Sequence, residues 1–144
     1  MGVRLSVPVV SQALDMSCWY ASACMVAYYR AAGPRRGLPE EWSANEGLTY
    51  GDLIRLANSE GFRAIMTPAG ALTAQQLEIF LRNNGPILCV GTWFGFHHAI
   101  VLTGVWGDQV YFNDPAGGRR KTGTIAWFNQ KLTRRTNTLM YMPA

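Results

Sequence analysis

Helical segments in the first half of the chain, strand-like runs in the second and no repeat or linker between them predict a single α+β domain over residues 1–144. Its sheet is expected to be antiparallel, because helices come first and most strand-like runs afterwards, the α+β signature. The chain is 49% hydrophobic and 15% charged, so one core can hold it without disulfide or metal staples, and a disordered chain is excluded.

Ser17–Arg30 (SCWYASACMVAYYR) has no Gly or Pro and is apolar almost all round, which predicts a buried helix. Asp15 or Ser17 is its N-cap and Gly33-Pro34 its stop, so Cys18 falls in the first turn. Gly33–Gly47 is rich in Gly, Pro, Arg and Glu and reads as a surface loop. Tyr50–Ser59 places apolar residues at 53, 54 and 57, the spacing of a short amphipathic helix ended by Gly61. Phe62–Thr67 reads as a short strand. Thr73–Asn84 carries Leu77, Phe80 and Leu81 on one face before Gly85-Pro86, a second amphipathic helix.

Beyond Pro86 the composition turns β-rich. Ile87–Trp93, His97–Trp106 and Gln109–Asn113 read as strands, the last two joined by a Gly107-Asp108 hairpin turn. Ala116–Gly123 (AGGRRKTG) reads as a basic Gly-rich turn, Ala126–Leu132 as a short helix and Thr138–Met142 as a closing strand.

Several classes of function are excluded at this level. No apolar run reaches the roughly 18 residues of a membrane span, and Met1–Val10 lacks the apolar stretch of a secretory signal. Met1–Ser6 fits the myristoylation string, a short match with several free positions. The three cysteines, Cys18, Cys24 and Cys89, form no CxxC pair, and the two histidines, His97 and His98, are adjacent and point to opposite faces of a strand. A disulfide framework, a zinc site and a histidine metal cage are therefore not expected. The net charge of +4 is gathered in Arg35-Arg36, Arg119-Arg120-Lys121 and Arg134-Arg135. With no nucleic-acid-binding motif beside them, these clusters read as solvated loops and no specific nucleic-acid partner is expected.

What remains is a cysteine and a histidine distant in sequence. Taken alone, Cys18 reads as a buried inert thiol, the commoner state of a free cysteine. Its company changes that reading. Gln12 precedes Cys18 by six residues, Trp19 follows it, His98-Ala99-Ile100-Val101 opens a strand reaching Gly104, and Asp114 lies 16 residues after His98. Cys24, about 240° around the helix from Cys18, and Cys89, in an apolar strand, read as core packing.

In these intervals the sequence resembles the papain-like cysteine peptidase superfamily. Its length and the Asn113-Asp114-Pro115 string look most like the bacterial branch of secreted effectors and bacteriocin-processing peptidases. The resemblance implies a papain-like fold, a central buried helix packed on a C-terminal antiparallel sheet. It implies a thiol hydrolase with Cys18 as nucleophile, His98 as base, Asp114 as its orienting partner and Gln12 in the oxyanion hole, needing no cofactor or metal. A thiol at a helix N-terminus beside an imidazolium gives up its proton readily, and His titrates where a shuttle must. Trp19 is expected to shield the thiolate and pack under the cleft. His97 and Asn113, also 16 apart, form an alternative pair and would spell a Cys-His-Asn triad.

The implied substrate is a protein or peptide. Glutamine deamidation or transglutamination, peptidoglycan peptide cleavage and a non-catalytic binding module are the alternatives on the same fold. The implied setting is the cytoplasm of a bacterial producer, with delivery into a target cell by a specialised secretion system and a cognate immunity or inhibitor protein as partner.

Overall fold

The computed structural model describes residues 2–12, 18–30, 49–67, 69–135 and 137–143. The caps expected at Asp15 or Ser17 and the loop expected over Gly33–Gly47 lie outside them. Among the described residues, four helices and a seven-stranded antiparallel sheet form. In chain order these are β1 (Gly2–Arg4), α1 (Cys18–Arg30), α2 (Tyr50–Glu60), β2 (Arg63–Ala64), α3 (Ala74–Asn84), β3 (Ile87–Gly91), β4 (His98–Trp106), β5 (Gln109–Asp114), β6 (Arg119–Thr124), α4 (Ile125–Lys131) and β7 (Leu139–Tyr141).

The sheet runs β2-β7-β3-β4-β5-β6, with β1 added to β4. Since β5 pairs β4 over the stretches that β1 and β3 also pair, β1 and β3 must lie end to end along the opposite edge of β4. Alternation then sorts side chains between two layers. Leu88, Ala99, Val101 and Met140 join one core with Trp19, Met25, Leu53 and Leu56 of α1 and α2. Ile87, Cys89, Ile100, Leu102 and Leu139 join another with Leu77 and Leu81 of α3 and Phe128 of α4.

The helices form where caps and apolar spacing agree. Thr49 with Asp52 and Thr73 with Gln76 close reciprocal capping boxes at the starts of α2 and α3, and Thr124 caps α4. Gly61 ends α2 in the left-handed region at φ 81°. In α1, buried residues occupy every position from Ala21 to Ala27, which is why the segment is apolar on all sides.

Four local expectations need correction. The buried face of α2 is Leu53, Leu56 and Ala57, while Ile54 is 41% exposed: the helix turns its Leu56 side to the sheet. The strand expected over Phe62–Thr67 shortens to Arg63–Ala64, followed by one further bond from the Ile65 N–H to the Leu139 carbonyl at 2.8 Å. Gly2–Arg4, assigned no element from sequence, pairs with β4, and Arg82 Nη2 donates to the Gly2 carbonyl at 2.9 Å. The basic turn expected over Ala116–Gly123 is turn only to Gly118. Arg119–Thr124 pairs along all of β5 as an edge strand, where charged residues protect an open ladder.

Candidate active site

The β4–β5 hairpin is closed at Gly107, whose φ of 61° suits the tight turn, so the first residue of β4 and the last of β5 meet at the far end. Those residues are His98 and Asp114. His98 Nε2 and Asp114 Oδ1 lie 2.8 Å apart, with the side chains 4% and 1% exposed. The Ala116 N–H donates to the same Oδ1 at 3.0 Å, and Lys121 Nζ donates to Oδ2 at 2.8 Å. A carboxylate held by three donors keeps its charge. Burial pushes the Asp114 carboxyl up, but the bonds from His98, Lys121 and Ala116 outweigh it and its pKa falls below the ordinary value.

Cys18 reaches the same place from the other layer. As the first residue of α1 it sits beneath the start of β4, where its Sγ accepts the Ala99 N–H at 3.4 Å and pairs with the His98 imidazole. Burial, the largest influence on His98, favours the neutral ring. The hydrogen bonds and charges of Asp114 and Cys18 more than reverse it, raising the imidazole from 6.5 to about 9. Because Nε2 is engaged by the carboxylate, Nδ1 is the ring atom left for the sulfur.

Gln12 is fastened to the same corner: its N–H donates to the Pro115 carbonyl at 2.8 Å, next to Asp114. Trp19 is 2% exposed within the α1 core and meets Tyr20 edge-on at 5.6 Å. Asn113 belongs to the alternative pair. It is buried and donates to the Val7 carbonyl at 3.4 Å, tying the N-terminal segment to β5, while His97 is exposed. Cys24 is 3% exposed in the helix layer, and Cys89 is fully buried, which pushes its thiol far up.

Three aromatics precede the histidines. Trp93 is a core residue, 1% exposed, packed on Phe128. Phe94 and Phe96 are 40% and 59% exposed, each with its ring centroid 5.7 Å from that of His98. The residue that sequence reading missed is Lys121. It stands in a basic run that looks solvated, and only the register of β6 against β5 brings it to the carboxylate.

A thiol at a helix start, an imidazole against it and a buried carboxylate behind the imidazole can carry out nucleophilic acyl transfer. The model of the family described as "Papain-like cysteine protease AvrRpt2" matches residues 1–133. Among solved structures, a double-glycine-motif protease from an AMS/PCAT transporter, in complex with the leader peptide, superposes with a TM-score of 0.62. That match has 24% sequence identity and covers 98% of this chain and 94% of the other.

Proposed function

The chain belongs to the papain-like cysteine protease family and is a thiol hydrolase, and from that premise we propose that it cleaves peptide bonds through Cys18, His98 and Asp114. The observation that carries the assignment is the meeting of three residues at one corner: Cys18 Sγ accepts the N–H of Ala99, the residue after His98, at 3.4 Å, and His98 Nε2 lies 2.8 Å from Asp114 Oδ1. Cys18 Sγ, as the thiolate after passing its proton to His98 Nδ1, attacks the carbonyl carbon, and the C=O π electrons move to oxygen. As the oxyanion collapses the C–N bond breaks, and His98 Nδ1–H protonates the leaving amine, leaving a thioester on Cys18. His98, now neutral, takes a proton from water, which adds to the thioester and releases the acid. The backbone N–H of Cys18 and the Gln12 side chain are the oxyanion donors, each worth about 3 kcal/mol of barrier in such sites. The leader peptide held by the structural neighbour supports an extended peptide as substrate here.

Iodoacetamide at pH 6 tests the nucleophile. Cys18 should be modified well ahead of Cys24 and Cys89; equal rates at the three would remove the activated thiol. Cys18→Ala and His98→Ala should each abolish hydrolysis, the double variant losing no more than either. Mass spectrometry of a cleaved target should show two fragments, whereas an intact chain heavier by about one mass unit would mean deamidation instead. We further read the protein as a delivered bacterial effector with a cognate inhibitor. Co-expression toxicity that disappears with Cys18→Ala supports this, and harmless expression in both cytoplasm and periplasm contradicts it.

A further inference from the structure

Asp114 serves two cations. One oxygen faces His98 and the other faces Lys121, each at 2.8 Å, and the Lys121 side chain is 38% exposed where that of Asp114 is 1% exposed. Lys121 reaches inward from an edge strand whose other non-glycine residues are exposed. A second contact holds it there: Nζ lies 4.6 Å from the centroid of Phe94, whose ring is in turn 5.7 Å from that of His98. A lysine serving only solubility would keep its rotamer freedom in water rather than bridge a ring and a buried carboxylate.

On the triad reading above, we propose that Lys121 is a positioning residue for the reaction. It clamps the Asp114 carboxylate and shares its charge, so that the imidazole is held in one orientation yet can still release its proton. Both halves matter to the chemistry. His98 must give a proton to the leaving amine and then act as a base toward water, and a carboxylate answering to the imidazolium alone would hold that proton too firmly for the second task.

The groups facing this pair come from every neighbouring element. Cys18 approaches from α1, the Ala116 N–H from the β5–β6 turn, and the rings of Phe94 and Phe96 from the loop before β4. Arg119 stands across from Asp114 in the β5–β6 register with an exposed side chain. Lys121 is the cation in contact with the carboxylate that can be removed without touching the triad.

The test is the rate of Cys18 alkylation by iodoacetamide from pH 4 to 10 on the full chain, with Lys121→Met, Lys121→Gln and Lys121→Arg beside the parent. The upper step of the profile reports His98 losing its proton. It should move upward by roughly half a unit to one unit in the Met and Gln variants, a modest shift because the lysine is partly solvated, and return in Arg. Peptide hydrolysis at pH 7 should fall about three- to tenfold in Met and Gln, with kcat affected more than KM. Gln keeps a donor without the charge, so a Gln profile like the parent's would overturn the charge-sharing role. Upper steps unmoved in both variants overturn the proposal and leave the triad standing. A parent profile rising once, like that of an ordinary thiol, overturns the triad reading and this one with it.

Discussion

Replacing Asp114 by Asn puts the carboxylate to a quantitative test. All three of its partners are donors: His98 Nε2 at 2.8 Å and the Ala116 N–H at 3.0 Å on one oxygen, Lys121 at 2.8 Å on the other. An amide offers one oxygen and one NH2, so no flip satisfies the set. With oxygen toward His98 the NH2 opposes the lysine cation, and with oxygen toward Lys121 it opposes two N–H donors. At least one charge-assisted bond is lost either way, about 1.5–3 kcal/mol, or roughly 10- to 100-fold in kcat/KM.

The pH dependence follows from the imidazole. His98 is raised from 6.5 to about 9, so its contribution to stability is fully present below pH 6.5 and is lost as the pH rises through about 9. At 1.36 kcal/mol per unit that contribution is about 3 kcal/mol, with Asp114 the leading favourable partner. Urea unfolding at pH 6 should find Asp114→Asn less stable than the parent by about 2–3 kcal/mol, and by pH 9.5 the gap should narrow by about 2 kcal/mol. A gap that stays constant or widens with pH would refute the claim that Asp114 acts on His98 through its charge.

Other variants probe the frame. Asn113→Ala removes the bond to the Val7 carbonyl, which Arg120 also serves at 3.3 Å. It should cost about 1 kcal/mol in a urea melt and leave Cys18 alkylation at pH 6 intact; loss of alkylation would revive the asparagine as third triad member. Gly91 pairs with His98, and a Cβ there would stand 2.5 Å from the Lys131 carbonyl and 2.9 Å from the Trp93 ring. Gly91→Ala should therefore cost about 1–3 kcal/mol by thermal melting and slow hydrolysis by displacing the start of β4. Trp93→Ala empties a site that is 1% exposed and should cost about 3–5 kcal/mol by the same measurement. Thr49→Ala breaks the capping box of α2 and should cost about 1 kcal/mol without affecting turnover.

What could be read from sequence was whatever local periodicity or fixed intervals encode. The second, third and fourth helices carry their own N-caps, the first is an unbroken apolar run, and the long central strands are β-branched and aromatic, so all were visible in order. β1 and β6 were not. Gly2–Arg4 is too short to show alternation, and Arg119–Thr124 buries no large apolar side chain, because an edge strand needs only one paired side. At the site, the 16-residue step from His98 to Asp114 is a property of one hairpin and so survives in sequence. In sequence, His98 is set apart from His97 by the six-residue step to Gly104 and the following Ala99, whereas the destination of Asn113 lies on an N-terminal segment 106 residues away. Lys121 was hidden because a basic run carries no mark of which member turns inward. The same holds for Phe94 and Phe96, whose exposure beside His98 depends on the loop they occupy.

The sulfur of Cys18 and the Ala99 N–H that it accepts are separated by 81 positions in the chain. A chain emerging from the ribosome therefore displays its thiol long before the hairpin bearing His98 and Asp114 has been made. On the proposed triad, the contact joining the two halves is one of the long-range ones that folding closes slowly. Under that proposal, competence arrives late in assembly, when the first helix docks against the second half of the molecule.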